Sequence, residues 1–220
     1  SYTSPPGFRP MSEVEDVWDS MSERVVDMIT FSLRDTKNAK VFVEAKTAIH
    51  TFIRTLESFE FSVSRLNALV LSFFRRFAQL LRERFAADFQ QAIREAQHQP
   101  MIVNDATELA KVLSVCWLKP GEAEQLGKQP FPLSLPFSQT YPLCCMDIRS
   151  LVEQYYSFSQ GMTQYHQEID AILSQSLDDL LIQLISVNIR DTVEQSNNLS
   201  QIAQIIVNIE HFQLACSELE

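Results

Sequence analysis

The sequence predicts an all-α fold: an elongated bundle of about six or seven helices with an ordered, proline-rich connector. Three observations predict it. Apolar residues recur at three- and four-residue steps through most of the 220 residues, which is the helical period. Only 4 Gly stand against 15 Phe, too little glycine for the tight turns of an all-β fold. The prolines cluster at the start and between Pro100 and Pro142, leaving long stretches free of helix breakers. With 45% hydrophobic and 21% charged residues, the composition is that of a folded chain and not of a disordered one.

Residues 1–10 hold three prolines and a glycine and read as a flexible tail. From Met11, the residues Val14, Trp18, Met21, Val25 and Met28 share one helix face. A break follows at Asp35 and Thr36. Phe42, Ala45, Ile49, Ile53 and Leu56 then form the stripe of a second helix, expected antiparallel to the first.

Residues 62–98 contain neither Gly nor Pro, so one helix of roughly 55 Å can run there. Its stripe begins as Leu66, Leu69, Val70, Phe73, Phe77 and Leu80. Phe85, Phe89 and Ile93 swing off that face and Arg84 lands on it, so the helix is expected to change packing partner between Leu81 and Arg84, as in stacked helical rods.

Pro100 ends this helix. Asn104 or Asp105, with Glu108, caps a short helix carrying Leu109, Val112 and Leu113. An irregular stretch to Pro142 follows, with negligible strand content expected. Trp117, Leu118, Phe131, Leu133, Leu135 and Phe137 are too apolar for a solvated linker, so the connector is expected to be pinned on the helices.

Pro142 suits the first turn of a helix carrying Leu143, Met146, Leu151, Val152, Tyr155 and Phe158, which ends at Gly161. A helix from Thr163 to Asn188 follows, with Ile169, Ile172, Leu173, Leu177, Leu180, Leu181 and Leu184 inside. After a polar turn from Gln195 to Asn198, the last helix carries Leu199, Ile202, Ile206, Ile209, Phe212, Cys216 and Leu219. The expected organisation is a tail over 1–10, a long-helix bundle over 11–99, a connector over 100–142 and C-terminal helices over 143–220, forming one rod-like domain.

The net charge is -10, which opposes binding to nucleic acid and to anionic lipid. Only residues 62–99 are basic, with six Arg against three acidic residues. Cys116, Cys144, Cys145 and Cys216 form no CxxC pair; they read as reduced, mostly buried thiols of a cytosolic protein. No apolar run reaches the roughly 20 residues of a membrane span, and the start lacks a signal-peptide pattern. It also lacks Met, as an excised fragment would.

No phosphate loop, dinucleotide fingerprint, zinc motif, nucleophile elbow or calcium loop occurs, and no cofactor or metal is implied. His50, His98, His166 and His211 lie on different elements and read as partly solvated surface residues. Tyr165, His166, Glu168 and Asp170 could do acid–base work, but an acidic helix start explains them through the helix dipole. Cys144 and Cys145 lie by a helix start, which lowers a thiol pKa, yet no base is placed beside them, and burial is the simpler reading. The candidate partner-binding residues are Arg75, Arg76, Arg82 and Arg84, a cationic patch for an acidic partner or lipid. The alternative is a solvated face pairing with Glu83 and Asp88.

Four segments carry a resemblance: Cys116-Trp117-Leu118, Leu133-Ser134-Leu135-Pro136-Phe137-Ser138-Gln139, Pro142-Leu143-Cys144-Cys145, and Gln204 through Cys216. From Cys116 onward the sequence resembles the Sec-fifteen subunit family of the exocyst, in a fungal form. The resemblance implies a noncatalytic α-helical rod in a complex that tethers secretory vesicles to the plasma membrane in exocytosis. It implies other exocyst subunits as partners, a Rab GTPase received by the subunit, and contacts with Rab exchange factors and myosin V. The implied place is cytoplasmic, peripheral on secretory vesicles and at sites of exocytosis. Against the family the chain is short, with the N-terminal coiled-coil region and the Rab-contacting helices expected outside it, so no binding residue is carried over. An independent acidic helical adaptor, holding a partner helix in a groove, is the alternative.

Overall fold

The computed structural model describes residues 11–95, 98–196 and 198–219. Nine α-helices and two short strands lie among these residues. The chain divides into two compact units between Leu80 and Leu81, inside the longest helix.

The first unit holds α1 (Met11–Leu33), α2 (Ala39–Glu57) and the start of α3 (Ser64–Glu95). Asn38 caps α2 by accepting from the Lys40 N–H at 3.0 Å. The stripes expected on α2 and α3 face inward: Phe42, Ile49, Ile53 and Leu56 are buried, as are Leu66, Leu69, Val70, Phe73, Phe77 and Leu80. Phe42 meets Phe73 edge-on at 5.5 Å. Helix α1 differs from expectation. It turns Trp18 inward, with its indole N–H on the Ser62 carbonyl at 2.7 Å and its ring 5.6 Å from Phe61. Met21 and Met28, expected on the same packed face, are exposed instead.

In the second unit, the remainder of α3 buries Phe85, Phe89 and Ile93 while Arg84 is exposed, as the drift of the stripe predicts. Asp105 caps α4 (Ala106–Val115), accepting from Thr107 and Glu108 N–H at 2.8 Å, and Glu108 reaches back to the Asn104 N–H at 2.7 Å. The connector is ordered but not irregular. It contains a two-stranded antiparallel sheet, β1 (Pro100–Val103) with β2 (Leu133–Ser138), and a one-and-a-half-turn helix α5 (Glu122–Gly127). Leu133, Leu135 and Phe137 alternate inward, which is the strand period, while Phe131 is exposed.

Helix α6 (Thr140–Ser159) carries Pro142 in its first turn. Gly161 follows its end with φ at 81°, the left-handed conformation that glycine supplies without strain. Its buried face is Tyr141, Cys144, Cys145, Ile148, Leu151, Tyr155 and Phe158; Leu143 and Met146, expected inside, are exposed. The single helix expected next is a 3-10 turn (Thr163–Tyr165), α7 (His166–Asp178), a π-helical turn (Asp179–Ile185) and α8 (Ser186–Gln195). This division and the extra α5 explain why nine helices replace the six or seven expected. The last helix, α9 (Leu199–Leu219), packs on β2, α6 and α8. Its register also departs from expectation: Leu199 and Ile206 are exposed, whereas Gln204, Ile205, Asn208, His211, Phe212 and Ala215 are buried.

Candidate functional site

The four sequence segments singled out above converge in the second unit around a buried polar junction. Gln204, Asn208 and His211 lie at helical spacing on the inward face of α9, so one turn after another presents a hydrogen-bonding group. Gln204 donates its Nε2 to the Pro136 carbonyl at 2.9 Å. Pro136 lacks an N–H, which suits it to the outer edge of a short sheet, where its oxygen is open to this partner. Asn208 takes the Ser138 N–H on its Oδ1 at 3.0 Å and donates its Nδ2 to the Ser138 hydroxyl at 2.7 Å.

His211, expected as a solvated residue, is 2% exposed. Its Nδ1 faces the Val207 carbonyl at 2.8 Å and its Nε2 faces Glu122 Oε1 at 3.0 Å, which ties α9 to α5. The Phe137 and Tyr141 rings stand edge-on to the imidazole, each at 5.3 Å. The Tyr141 hydroxyl lies 2.7 Å from the Trp117 carbonyl and 3.1 Å from the His211 carbonyl, so it bridges the connector and α9. Arg149 completes the wall. Its Nε donates to the Val115 carbonyl at 2.8 Å and its guanidinium lies over Trp117, 4.2 Å from the ring centroid.

The thiols belong to the same junction. Cys116, Cys144 and Cys145 are buried; the Cys216 side chain lies outside the described residues. Burial pushes the Cys144 thiol well above its ordinary pKa. Cys116 and Cys145 share a hydrogen bond that pushes Cys116 up and draws Cys145 down. Burial opposes the second shift, while the Trp117 backbone, the Tyr141 hydroxyl and Arg149 support it. A thiol drawn down in pKa is chemically suggestive, but Cys145 has no exposed surface through which a substrate could reach it. The junction holds segments together.

The cationic residues are distributed differently. Arg75, exposed, and Arg76, whose Nη1 donates to Gln79 Oε1 at 2.9 Å, belong to the first unit. Arg82 and Arg84 belong to the second. Arg82 is ion-paired with Asp179 at the start of the π-helical turn. Arg84 reaches Gln154 Oε1 at 3.3 Å and lies over its neighbour Phe85. His50, His98 and His166 are not drawn into the junction, and no group of metal-binding side chains occurs among the described residues. An apolar groove of about 600 Å³ also opens in the second unit, lined by Ile182, Ile189, Val193, Ile206, Ile209 and Phe212.

Glu122, Tyr141, Asn208 and Gln204 were not legible as site residues from apolar periodicity. The available signal was the polar stripe Gln204, Asn208 and His211, which repeats at the same three- and four-residue steps as a buried apolar seam.

Comparison with known proteins adds a family match over residues 65–220, to the family described as exocyst complex subunit Sec15 C-terminal. The exocyst complex component SEC15 of Saccharomyces cerevisiae is 26% identical over 213 residues, covering 94% of this chain and 23% of its own length. Exocyst complex component 6 of Rattus norvegicus is 25% identical, over 97% of this chain and 26% of the relative. Exocyst complex component sec15 of Schizosaccharomyces pombe is 23% identical, over 98% of this chain and 27% of the relative. The chain thus spans about a quarter of the length of the curated relatives it matches. No solved structure matches it.

Proposed function

Because the chain belongs to the exocyst complex subunit Sec15 C-terminal family, we propose that it is a noncatalytic helical scaffold segment of a subunit that tethers secretory vesicles to the plasma membrane and receives a Rab GTPase. The buried junction carries the reading. The segments most characteristic of the sequence meet there as hydrogen-bonded packing, with His211 held by Glu122 and Cys145 sealed from solvent. Side chains used in this way hold helices in register for partners to bind, which is the task of a tether. The partners on this reading are other exocyst subunits and a Rab GTPase, with a Rab exchange factor and myosin V as further contacts. Arg75, Arg76, Arg82 and Arg84 are the partner-binding candidates. Attachment to vesicles and to sites of exocytosis is peripheral, through the complex; no helix among the described residues is long and apolar enough to cross a membrane.

The test is co-purification of the full-length subunit with the other exocyst subunits, beside calorimetry with the cognate Rab in both nucleotide states. The full-length subunit is expected to retain the complex and to prefer the GTP-loaded Rab. Recovery of no exocyst subunit would sink the tether reading, and equal affinity for the two nucleotide states would remove the Rab-receiving part of it.

A further inference from the structure

Helix α6 holds the chain at the end of α4 in two places, and two thiols lie between the holds. Arg149 Nε donates to the Val115 carbonyl at 2.8 Å, and the Tyr141 hydroxyl lies 2.7 Å from the Trp117 carbonyl. Tyr141 stands four residues before Cys145 and Arg149 four residues after it, so the three share one face of α6. The stretch from Val115 to Trp117 therefore runs antiparallel to α6, with Cys116 at the level of Cys145. The backbone holds set this register, and the hydrogen bond between the two thiols agrees with it. Cys144, the next residue along the helix, is turned away by about 100°.

We propose that Cys116 and Cys145 are a disulfide-forming pair, closed by a hydroperoxide, whose bond locks the end of α4 to α6 at the buried junction. Thiols already in hydrogen-bond contact are a side-chain rotation short of the roughly 2.05 Å of an S–S bond. Cys116 keeps 7% of its surface and Cys145 none, so Cys116 is the sulfur that meets the oxidant. Its sulfur attacks one peroxide oxygen; the O–O bond breaks, an S–O bond forms, and the other oxygen leaves as water with the thiol proton, which the adjacent Cys145 sulfur helps to remove. Cys145 then attacks the Cys116 sulfur. The S–S bond forms, the S–O bond breaks, and the second oxygen leaves as water with the Cys145 proton. In sum, two thiols and one hydroperoxide give one disulfide, with two electrons passing to the peroxide. The Trp117 backbone, the Tyr141 hydroxyl and Arg149 surround the Cys145 sulfur and favour the charge it carries during its attack.

The loop that the bond closes contains the groups to which α9 is fastened. Glu122 of α5 faces His211, and Pro136 and Ser138 of β2 hold Gln204 and Asn208. Closing that loop removes freedom from the unfolded chain and leaves the native contacts in place, so the oxidised junction resists opening.

The experiment treats the chain as it stands, reduced and freed of reductant, with hydrogen peroxide; remaining thiols are then blocked in denaturant and the protein is digested with trypsin without reduction. The expected product has lost two thiols and the mass of two hydrogen atoms, and joins the peptide of residues 112–128 to that of residues 129–149 through Cys116 and Cys145. Its melting midpoint should rise by about 5 °C or more and return on reduction with dithiothreitol. Cys116→Ser, which keeps the shape of the site, should abolish both the link and the rise with an unchanged circular dichroism spectrum; Cys116→Ala serves as a second variant, and Cys144→Ala should retain both effects. A link that uses Cys144 or Cys216, a link between two chains, Cys116 oxidised to sulfinic acid without a link, or no loss of thiols overturns the proposal. A link that leaves the midpoint unchanged or lowers it overturns the lock.

Discussion

Asn208 and Ser138 make a two-point bond across the second unit: Asn208 Oδ1 accepts the Ser138 N–H at 3.0 Å, and Asn208 Nδ2 donates to the Ser138 hydroxyl at 2.7 Å. Both residues are buried, so α9 is fastened to the end of β2 where water cannot substitute for the lost partner. Asn208→Ala leaves the Ser138 N–H buried without that acceptor and should cost about 2–3 kcal/mol, measured by chemical denaturation. Asn208→Asp keeps the acceptor but turns the other contact into one that only the Ser138 hydroxyl can donate to, and should fall between the two. An alanine variant as stable as the parent would show that the bond does not hold α9.

Arg149 tests how the connector is pinned. Its guanidinium covers Trp117 and its Nε holds the Val115 carbonyl. Arg149→Met keeps much of the aliphatic cover but loses the cation over the ring and the donor, so a loss of about 1 kcal/mol is expected. In a Trp18→Phe background, quenching of Trp117 by acrylamide should rise in the variant. Unchanged quenching would place the shielding elsewhere.

Asp147 gives the chain a pH signature. Its pKa is raised by burial first and by the Asp88 charge second, with Arg84 acting in the opposite direction. A carboxyl raised in the folded state binds its proton more tightly there than when unfolded. Its contribution therefore favours folding in acid and is lost as pH rises through the folded pKa. Asp147→Asn should stabilise the protein at neutral pH, modestly because solvent screens a partly exposed group, and the gain should vanish below the carboxylate range. Thermal melts across pH check it; a gain that persists in acid would assign the effect to packing.

The thiols should react at the rate at which the structure opens. Cys116, Cys144 and Cys145 are buried, and burial also keeps the Cys144 thiol protonated. Iodoacetamide at neutral pH, with modified residues located by mass spectrometry, should label them far more slowly than in the unfolded chain. Rapid labelling of the native protein at Cys145 would mean that the junction admits small molecules.

The helical class, the inward stripes of α2 and α3, and a cap of α4 at Asn104 or Asp105 could all be read from local pattern; the structure chose Asp105. Each depends on the period of apolar residues or on a side chain bonding its own backbone a few residues away. The strand β2 was nearly as legible, because Leu133, Leu135 and Phe137 alternate, but Pro136 obscured it by removing a donor that only an inner strand requires.

What the sequence by itself determined, then, was where the long helices lie and that the apolar Leu133, Leu135 and Phe137 of the connector had to be buried. Only the tertiary structure decided which face of α9 is buried. Apolar periodicity points to Ile202, Ile206 and Ile209, because it registers only the transfer of side chains out of water. The partners that the fold brings to α9 are the Pro136 carbonyl, the Ser138 N–H and hydroxyl, and the Glu122 carboxylate. Those groups must be paired once water is excluded, so Gln204, Asn208 and His211 turn inward and Ile206 is left exposed.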